Sequence, residues 1–518
     1  INQDPLYKLS EDDKELLWTY RFYLRNKSNT LSKVLESLRF SDPPTVAEGL
    51  RALNYWRPLD PYDALELLDS KFQTPEIRSY AVSRLDCLPD DELLNYLPQL
   101  VQALKYEPYH DSALASFLIS RALSNPSIGL QFFWNIKSEL HLEEISERYS
   151  LILECYLLAC GQDMIDVLSV QSDVILKLYL VASEILADAN GWGLSNLPKK
   201  KEILRNGLSN LDQVLQNGMV MPYDSSIRVK KLLIEDCKIM DSAKVPLWLT
   251  WQNEDEFAQS VKIIFKAGDD LRQDVLTLQM FRIMDSIWQK EGYDLGMSPY
   301  MCLATGENQG IVQVVGNSNT IAKIHKELGL NGVFKEDALA NWLDRENPYI
   351  TKELCRTNFV LSCAAYCVAT YALGIGDRHN DNIMVTKSGH LFHIDFGHFL
   401  GNVKTTERAP FVLTPDMAFV MGGKHSPEFQ NFCEIACEAF SLLRKSAHII
   451  INLFAMMLST GIAELRSFED ILYLRKSFLL TESEDDIKEA FTKLIYQSLS
   501  TKSTQLNFFL HNLAHSMN

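Results

Sequence analysis

The sequence predicts an α+β chain: an α-solenoid of short stacked helices, then a small mixed α/β lobe and a larger, mainly helical lobe. Three observations predict it. From about Ser10 to Leu186 the apolar spacing is helical, with Asp and Pro as punctuation. The period then shortens to that of strands in PLWLTW, SVKIIFKAG and GIVQVVG. Helical spacing returns from VLTLQMFRIMDSIWQK through LSCAAYCVATYAL to the C-terminus. The boundaries that follow are 1–189 for the helical domain, 190–225 for a linker and the start of the small lobe, 226–316 for the small lobe and 317–518 for the large lobe.

The helical part reads in short units. DPPTVAEGLRAL, DPYDALELLD and TPEIRSYAVSRL each open with Asp or Thr followed by Pro, an N-cap and first-turn arrangement that starts a helix. In DDELLNYLPQLVQALKY, the residues Leu93, Leu94, Leu97, Leu100, Val101 and Leu104 keep one apolar face, and Pro98 is expected to kink or divide the helix. Such helices bury themselves by stacking in pairs, so a solenoid without a strict repeat is the expectation. Gly191, Gly193 and Pro198 mark the linker, and Lys199 to Lys201 read as a solvated face rather than a phosphate or membrane contact.

Composition narrows the class of partner. With 50 Lys plus Arg against 67 Asp plus Glu, the 518-residue chain carries a formal charge of 50 − 67 = −17, which argues against a broad nucleic-acid surface. An anionic partner must therefore meet a local basic patch. The 10 cysteines form no regular framework; Cys363/Cys367 and Cys433/Cys437 sit one helical turn apart among apolar residues and read as buried reduced thiols, which suggests the cytoplasm. The longest apolar stretches, Cys363 to Gly376 and Ile449 to Leu458, are too short or interrupted for a membrane span. The start, INQDPLYKLS, has no initiator Met and no signal-peptide pattern, and is read as the edge of a fragment.

The chemistry concentrates in LGIGDRHNDNIMVTKSGHLFHIDFGHFL, Leu373 to Leu400, where acids, histidines and an asparagine interrupt strand-like runs. Burying such groups is costly, so polar clusters in this setting are more often sites than core. Asp377 and Asn382 have the spacing of Asp and Asn in the kinase pattern H-R-D-x-x-x-x-N, and Asp395-Phe396-Gly397 follows as DFG. Phosphoryl transfer needs Mg2+ held between triphosphate and protein oxygens, and Asn382 with Asp395 supply two from one hairpin. Upstream, IIFKAGDDLRQD puts Lys266 near the end of a strand, within reach of ATP phosphates, with Asp274 as its partner on the next segment. A lone DFG is a weak signal, whereas this set in this order either side of GIVQVVG is a strong one. The alternative is that these acids only cap turns. The order of motifs implies a two-lobed, protein-kinase-like catalytic domain.

The triplet is DRH instead of HRD, and no G-x-G-x-x-G precedes Lys266. Here CKIMDSAKVPLWLTW, IIFKAGDDLRQD, YCVATYALGIGDRHNDNIMV and LFHIDFGHFLGN resemble the phosphoinositide 3-kinase family, class I in particular, over nearly the whole chain. The resemblance implies a lipid kinase that uses ATP and Mg2+. It makes Lys266 the ATP lysine, oriented by Asp274 with Tyr300; Ser242 and Lys244 the phosphate-loop residues; and Val314 and Val315 the hinge whose backbone holds adenine. It makes Asn382 and Asp395 the metal ligands, Asp377 and His379 the catalytic-loop pair, and His398 a histidine that assists deprotonation or stabilises the transferring group. Trp248 stacks on nucleotide or belongs to the core, with equal weight on each, as for Met240. His393 reads as a packed strand residue.

Two departures accompany the resemblance. Gln313 stands where the family usually has Glu, without disturbing backbone contacts. The loop HFLGNVKTTERA keeps only Lys404 and Arg408 of the basic cluster expected to meet inositol phosphates. Either the lipid is less phosphorylated or the sequence joins across loop residues, and the match on both sides favours the second. Leu506, Phe509, Leu510 and Leu513 fall on one side of a C-terminal helix suited to a membrane interface or to packing on the large lobe. PLYKLSEDDKELLW resembles the segment that meets a regulatory subunit, with Glu11 and Asp12 acidic but Lys8 of the opposite sign. Adaptor-binding, Ras-type GTPase-binding and C2-type portions are expected upstream. The expected activity is transfer of the γ-phosphoryl group of ATP to the 3-hydroxyl of phosphatidylinositol 4,5-bisphosphate at membranes. Rivals are action on phosphatidylinositol, a phosphoinositide 4-kinase, a lipid-kinase-like protein kinase and an inactive scaffold.

Overall fold

The computed structural model describes residues 4–187, 197–211, 213–329, 332–347, 350–402, 409–501, 504 and 508. In the helical part, helices start at Pro43, Pro61 and Pro75, as the Asp-Pro and Thr-Pro pairs predict. Only Asp60 of the three caps with its side chain, accepting from the Tyr62 amide at 3.0 Å. Pro98 divides its helix into Asp90–Leu94 and Leu97–Ala103, because a proline nitrogen has no proton for the turn before it. Leu93, Leu97, Leu100, Val101 and Leu104 are fully buried along the predicted face, while Leu94 lies at its edge.

Long helices follow at Glu143–Ala159 and Gln162–Ala187, and a further helix, Leu197–Ser209, occupies part of the predicted linker. It corrects the reading of the lysine run. Lys199 and Lys201 are exposed, but Lys200 is buried on the stripe it shares with Leu204 and Leu208. The i, i+4, i+8 spacing sets that face, and the apolar stem of a lysine can lie along it.

The small-lobe sheet contains β1 (Met219–Met221), β2 (Asp224–Leu232), β3 (Lys238–Ile239), β4 (Leu247–Asn253), β5 (Val261–Ala267), β6 (Cys302–Gly306) and β7 (Gln309–Gln313). It is antiparallel, in the order β1-β2-β4-β5-β7-β6 with β3 beside β4, and it begins at Met219, inside the 190–225 span read as linker and start of the small lobe. Helical domain and sheet share one compact unit, which includes Tyr7–Val275 and Tyr300–Val314. Side-chain amides join them: Gln131 donates to the Tyr223 carbonyl at 3.1 Å and Gln171 to that of Val220 at 2.8 Å. The indole of buried Trp134 in turn donates to Gln171 at 2.9 Å. One side-chain amide thus satisfies a carbonyl of edge strand β1 and another a carbonyl of the turn that follows it.

The second unit includes Leu276–Pro299 and Val315–Asn518. Its core helix, Lys352–Leu373, packs on Pro427–Lys445, and the thiols of Cys363, Cys367, Cys433 and Cys437 are buried and free, as the spacing suggested. Phe440 and Phe491 stack at 4.6 Å beside Tyr371 and Phe411. A three-stranded sheet of β8 (Ser318–Thr320), β9 (Ile383–Thr386) and β10 (Leu391–His393) carries the predicted catalytic segment. Among the described residues no single helix is long and apolar enough to cross a membrane. Lys404, Arg408, Leu506, Phe509, Leu510 and Leu513 lie outside the described residues; in that C-terminal stretch Phe508 is described, and it is buried.

Candidate active site

The core helix stops at Gly374, whose φ of 58° is left-handed. A Cβ there would come 2.4 Å from the Gly401 nitrogen and 2.5 Å from the Tyr473 ring, so both conformation and space require glycine. The close approach lets two segments pair. Leu400 N–H donates to Leu373 at 2.8 Å, Gly401 to Gly374 at 3.1 Å, and Gly376 to His398 at 3.0 Å. The DFGH stretch is therefore fastened to the start of the DRH loop.

Arg378 fixes the rest. It is 6% exposed, and its guanidinium donates to the carbonyls of Gly376 at 2.9 Å, Ile394 at 2.7 Å and Asp395, with its plane over Phe396. On either side of this clamp Asp377 and Asp395 take φ values of 54° and 61°. Such angles cost a non-glycine residue about 1 kcal/mol or more and persist where the surroundings hold them. Asn382 precedes β9 and Asp395 follows β10, with the Ile394 amide donating to the Asn382 carbonyl at 3.0 Å, so the hairpin brings the two ends together.

The donor chemistry fits a hard cation. The Asn382 amide nitrogen donates to the Asp377 carbonyl at 3.0 Å, which leaves the amide oxygen as the acceptor end of that side chain, and Asp395 is exposed. No group of three or more His, Cys, Asp or Glu able to hold a metal occurs among the described residues. Mg2+ takes one or two protein oxygens and fills its shell with phosphate and water, so an amide oxygen and a carboxylate are donors of a fitting kind. Asp377 and His379 are half-buried beside these groups. His393 is a packed residue: it is 4% exposed, stacked on Tyr366, and burial holds its pKa well below the usual histidine value.

In the first unit Lys266 sits on β5 opposite Gly310, and Lys244 reaches the same strand end, its Nζ 3.7 Å from where a Gly268 Cβ would be. Ser242 and Lys244 lie in a turn in which the Val245 amide donates to the Ser242 carbonyl at 3.0 Å and Val245 has φ 43°. Asp274 is in the first turn of helix Arg272–Lys290. Asp269, passed over by the sequence reading, stands 3.9 Å from the Lys266 ammonium. Trp248 is half-buried on β4 under the Lys238 ammonium, Met240 is half-buried at the end of β3, and Tyr300 is buried. The Val314 amide is taken by the Lys262 carbonyl at 3.0 Å and the Val315 carbonyl accepts from Ser318 at 2.8 Å. Gln313, the departure from the family pattern, turns its side-chain oxygen to the Met301 amide at 2.9 Å.

Two residues of the large lobe escaped the sequence reading. Arg378 was visible in DRH without a role. Glu464 lies 66 residues beyond His398 yet bonds it at 2.6 Å, and an isolated acid in GIAELRS gives no local signal of that.

This arrangement defines a kinase catalytic domain, and comparison with known proteins agrees. Residues 1–169 match the accessory (PIK) domain of the phosphoinositide 3-kinase family, and residues 260–467 match phosphatidylinositol 3- and 4-kinase. The chain therefore belongs to the phosphoinositide 3-kinase family, with the accessory domain preceding the catalytic one. Its similarity extends over 99% of its length to phosphatidylinositol 3-kinase 1 of Dictyostelium discoideum, at 47% identity. It also extends, at 41% identity, to the human phosphatidylinositol 4-phosphate 3-kinase C2 domain-containing subunit beta. The chain spans about a third of the length of these relatives, 32% of each.

Proposed function

We propose that the chain is the catalytic portion of a phosphatidylinositol 3-kinase, transferring the γ-phosphoryl group of ATP to the 3-hydroxyl of a phosphoinositide at a membrane. The observation that supports it most is the Arg378 clamp, which holds Asp377, Asn382 and Asp395 around one hairpin. Bound through Asn382 and Asp395, Mg2+ would neutralise triphosphate charge. The residues supply the rest. Lys266 and Lys244 bind phosphate oxygens, with Ser242 beside them, and Asp274 and Tyr300 orient Lys266. Val314 and Val315 flank adenine, with Trp248 at its face. The ring hydroxyl attacks the γ-phosphorus, an O–P bond forms as the bond to the leaving diphosphate breaks, and the proton passes to Asp377 or His398, with His379 beside them.

The class I resemblance favours phosphatidylinositol 4,5-bisphosphate as substrate, bound by Lys404 and Arg408. A second reading, phosphatidylinositol 4-phosphate, is favoured by a loop with only those two cations and by the substrate in the name of the 41%-identical human relative. Membrane contact is assigned to the apolar side formed by Leu506, Phe509, Leu510 and Leu513. A regulatory subunit and a small GTPase are further partners proposed for a longer polypeptide. The test is product identification from ATP, Mg2+ and vesicles of phosphatidylinositol, its 4-phosphate or its 4,5-bisphosphate. New phosphate at position 3 of a phosphoinositide upholds the proposal and ranks the substrates; new phosphate at position 4, or on protein alone, overturns it.

A further inference from the structure

The loop between Gly461 and Phe468 has no assigned part in phosphoryl transfer, yet it presents one carboxylate to the DFGH segment. Glu464 Oε1 lies 2.6 Å from His398 Nδ1, and Oε2 accepts from the Phe399 main-chain amide at 2.7 Å. Both ends of this contact are anchored. Ile462 and Leu465 flank Glu464, are fully buried, and close a turn in which the Leu465 amide donates to the Ile462 carbonyl at 3.1 Å. Phe399 is buried against Phe454, and the His398 carbonyl is held by Gly376.

We infer that Glu464 is a positioning residue that fixes the tautomer and aim of His398. This deepens the proposed kinase reaction and rests on it. The reasoning is one of donors and acceptors. An ionised carboxylate only accepts, and its second oxygen is committed to a main-chain N–H, which can only donate. At 2.6 Å from the first oxygen, Nδ1 must carry hydrogen, so in the neutral ring the lone pair is on Nε2. That nitrogen is the one turned from Glu464, and His398 is 38% exposed. It is the atom able to take the proton of an attacking hydroxyl, and the carboxylate stabilises the imidazolium that results. Carboxylate, imidazole and reacting hydroxyl form a relay from two segments 66 residues apart.

Glu464→Gln tests it, because the amide is nearly isosteric but reverses one partner. Its oxygen keeps the Phe399 amide, while its NH2 donates to Nδ1 and forces hydrogen onto Nε2, where it blocks proton acceptance. The expected result is a kcat about 100-fold lower, with KM for ATP within about twofold, since loss of general base catalysis is a 10²–10⁴ effect. In a His398→Ala background the same substitution should have no further effect on kcat. An unchanged kcat in Glu464→Gln, or losses that simply add in the double variant, overturns the inference. Imidazole 15N spectra, assigned with His398→Ala, give a readout independent of turnover. The wild-type chain should show Nδ1–H and Glu464→Gln should show Nε2–H; a wild-type ring protonated on Nε2 overturns the inference even where Glu464→Gln does not fold. Absence of any lipid product from the wild-type chain, together with the Nδ1–H tautomer, would instead remove the proposed reaction and leave the Glu464 contact standing.

Discussion

Arg78 in the helical domain and Arg378 in the catalytic loop are both buried, and both spend guanidinium N–H groups on main-chain carbonyls. They differ in what the clamp secures. Arg78 binds the carbonyls of Leu68, Phe72 and Ala103 and is closed by Glu107, whose carboxylate lies 2.6 Å from Nε and is itself buried. Arg378 binds the carbonyls on either side of the loop and leaves the Asp395 carboxylate exposed, on backbone bent to a left-handed angle. One region uses its charge to join helices. The other uses the same side chain to hold acids on strained backbone, which fits the cation-binding role proposed for Asp395.

The largest expected effect comes from Asp395→Asn. If the clamp exists to present that carboxylate, phosphoryl transfer should fall by about three orders of magnitude, since electrostatic stabilisation of the developing charge is often the largest catalytic contribution. The melting temperature should hardly move, because Asp395 is exposed. Retained turnover would make the DFG segment as structural as the Arg78 cluster, and the comparison would collapse.

Next in size is Arg78→Met, which should act in the opposite sense. It strands Glu107 in a buried position at a cost of about 3–5 kcal/mol, the usual penalty for breaking a buried pair from one side. Urea titration should show that loss, and Arg78→Met combined with Glu107→Leu should recover much of it. Turnover per folded molecule should stay at the wild-type value. A fall in turnover without loss of stability would mean that the helical domain reaches the chemistry after all.

How far each region was legible follows from the same distinction. The solenoid showed in Pro98, in the Asp-Pro starts and in the leucine face because helix signals are local. The candidate site acids showed because charge between strand-like runs is rare. Lys200 was misread because a charge run predicts solvent, whereas one helical face decided its burial. Where the linker ends and the small lobe starts within 190–225 carried no signal, because β1 is only three residues long and too brief to show a period. Glu464 could not be found, since its partner is distant in the chain and its neighbours carry no motif.

The smallest effect concerns a carboxylate that has no arginine such as Arg78 to close it. Asp285 accepts from Gln289 at 2.8 Å through Oδ2, while buried Oδ1 has no hydrogen-bond partner among the described residues. Burial, with a smaller contribution from Asp294, pushes its pKa up to about 6. The folded state therefore holds the proton to higher pH than the unfolded chain, and the ionised group lowers stability once both states have lost it, above about pH 6. Asp285→Asn should then stabilise the protein at pH 7 by about 1 kcal/mol, the full shift being discounted for partial solvent screening. The advantage should shrink as pH falls through 6 and vanish near the ordinary carboxylate value, where wild-type Asp285 is neutral in both states. Melting temperatures of the two proteins between pH 4 and 8 measure it. A variant less stable than wild type at pH 7 would show that the charge has a partner worth more than its burial costs, and Asp285 would then belong with Glu107 on the paired side of the comparison.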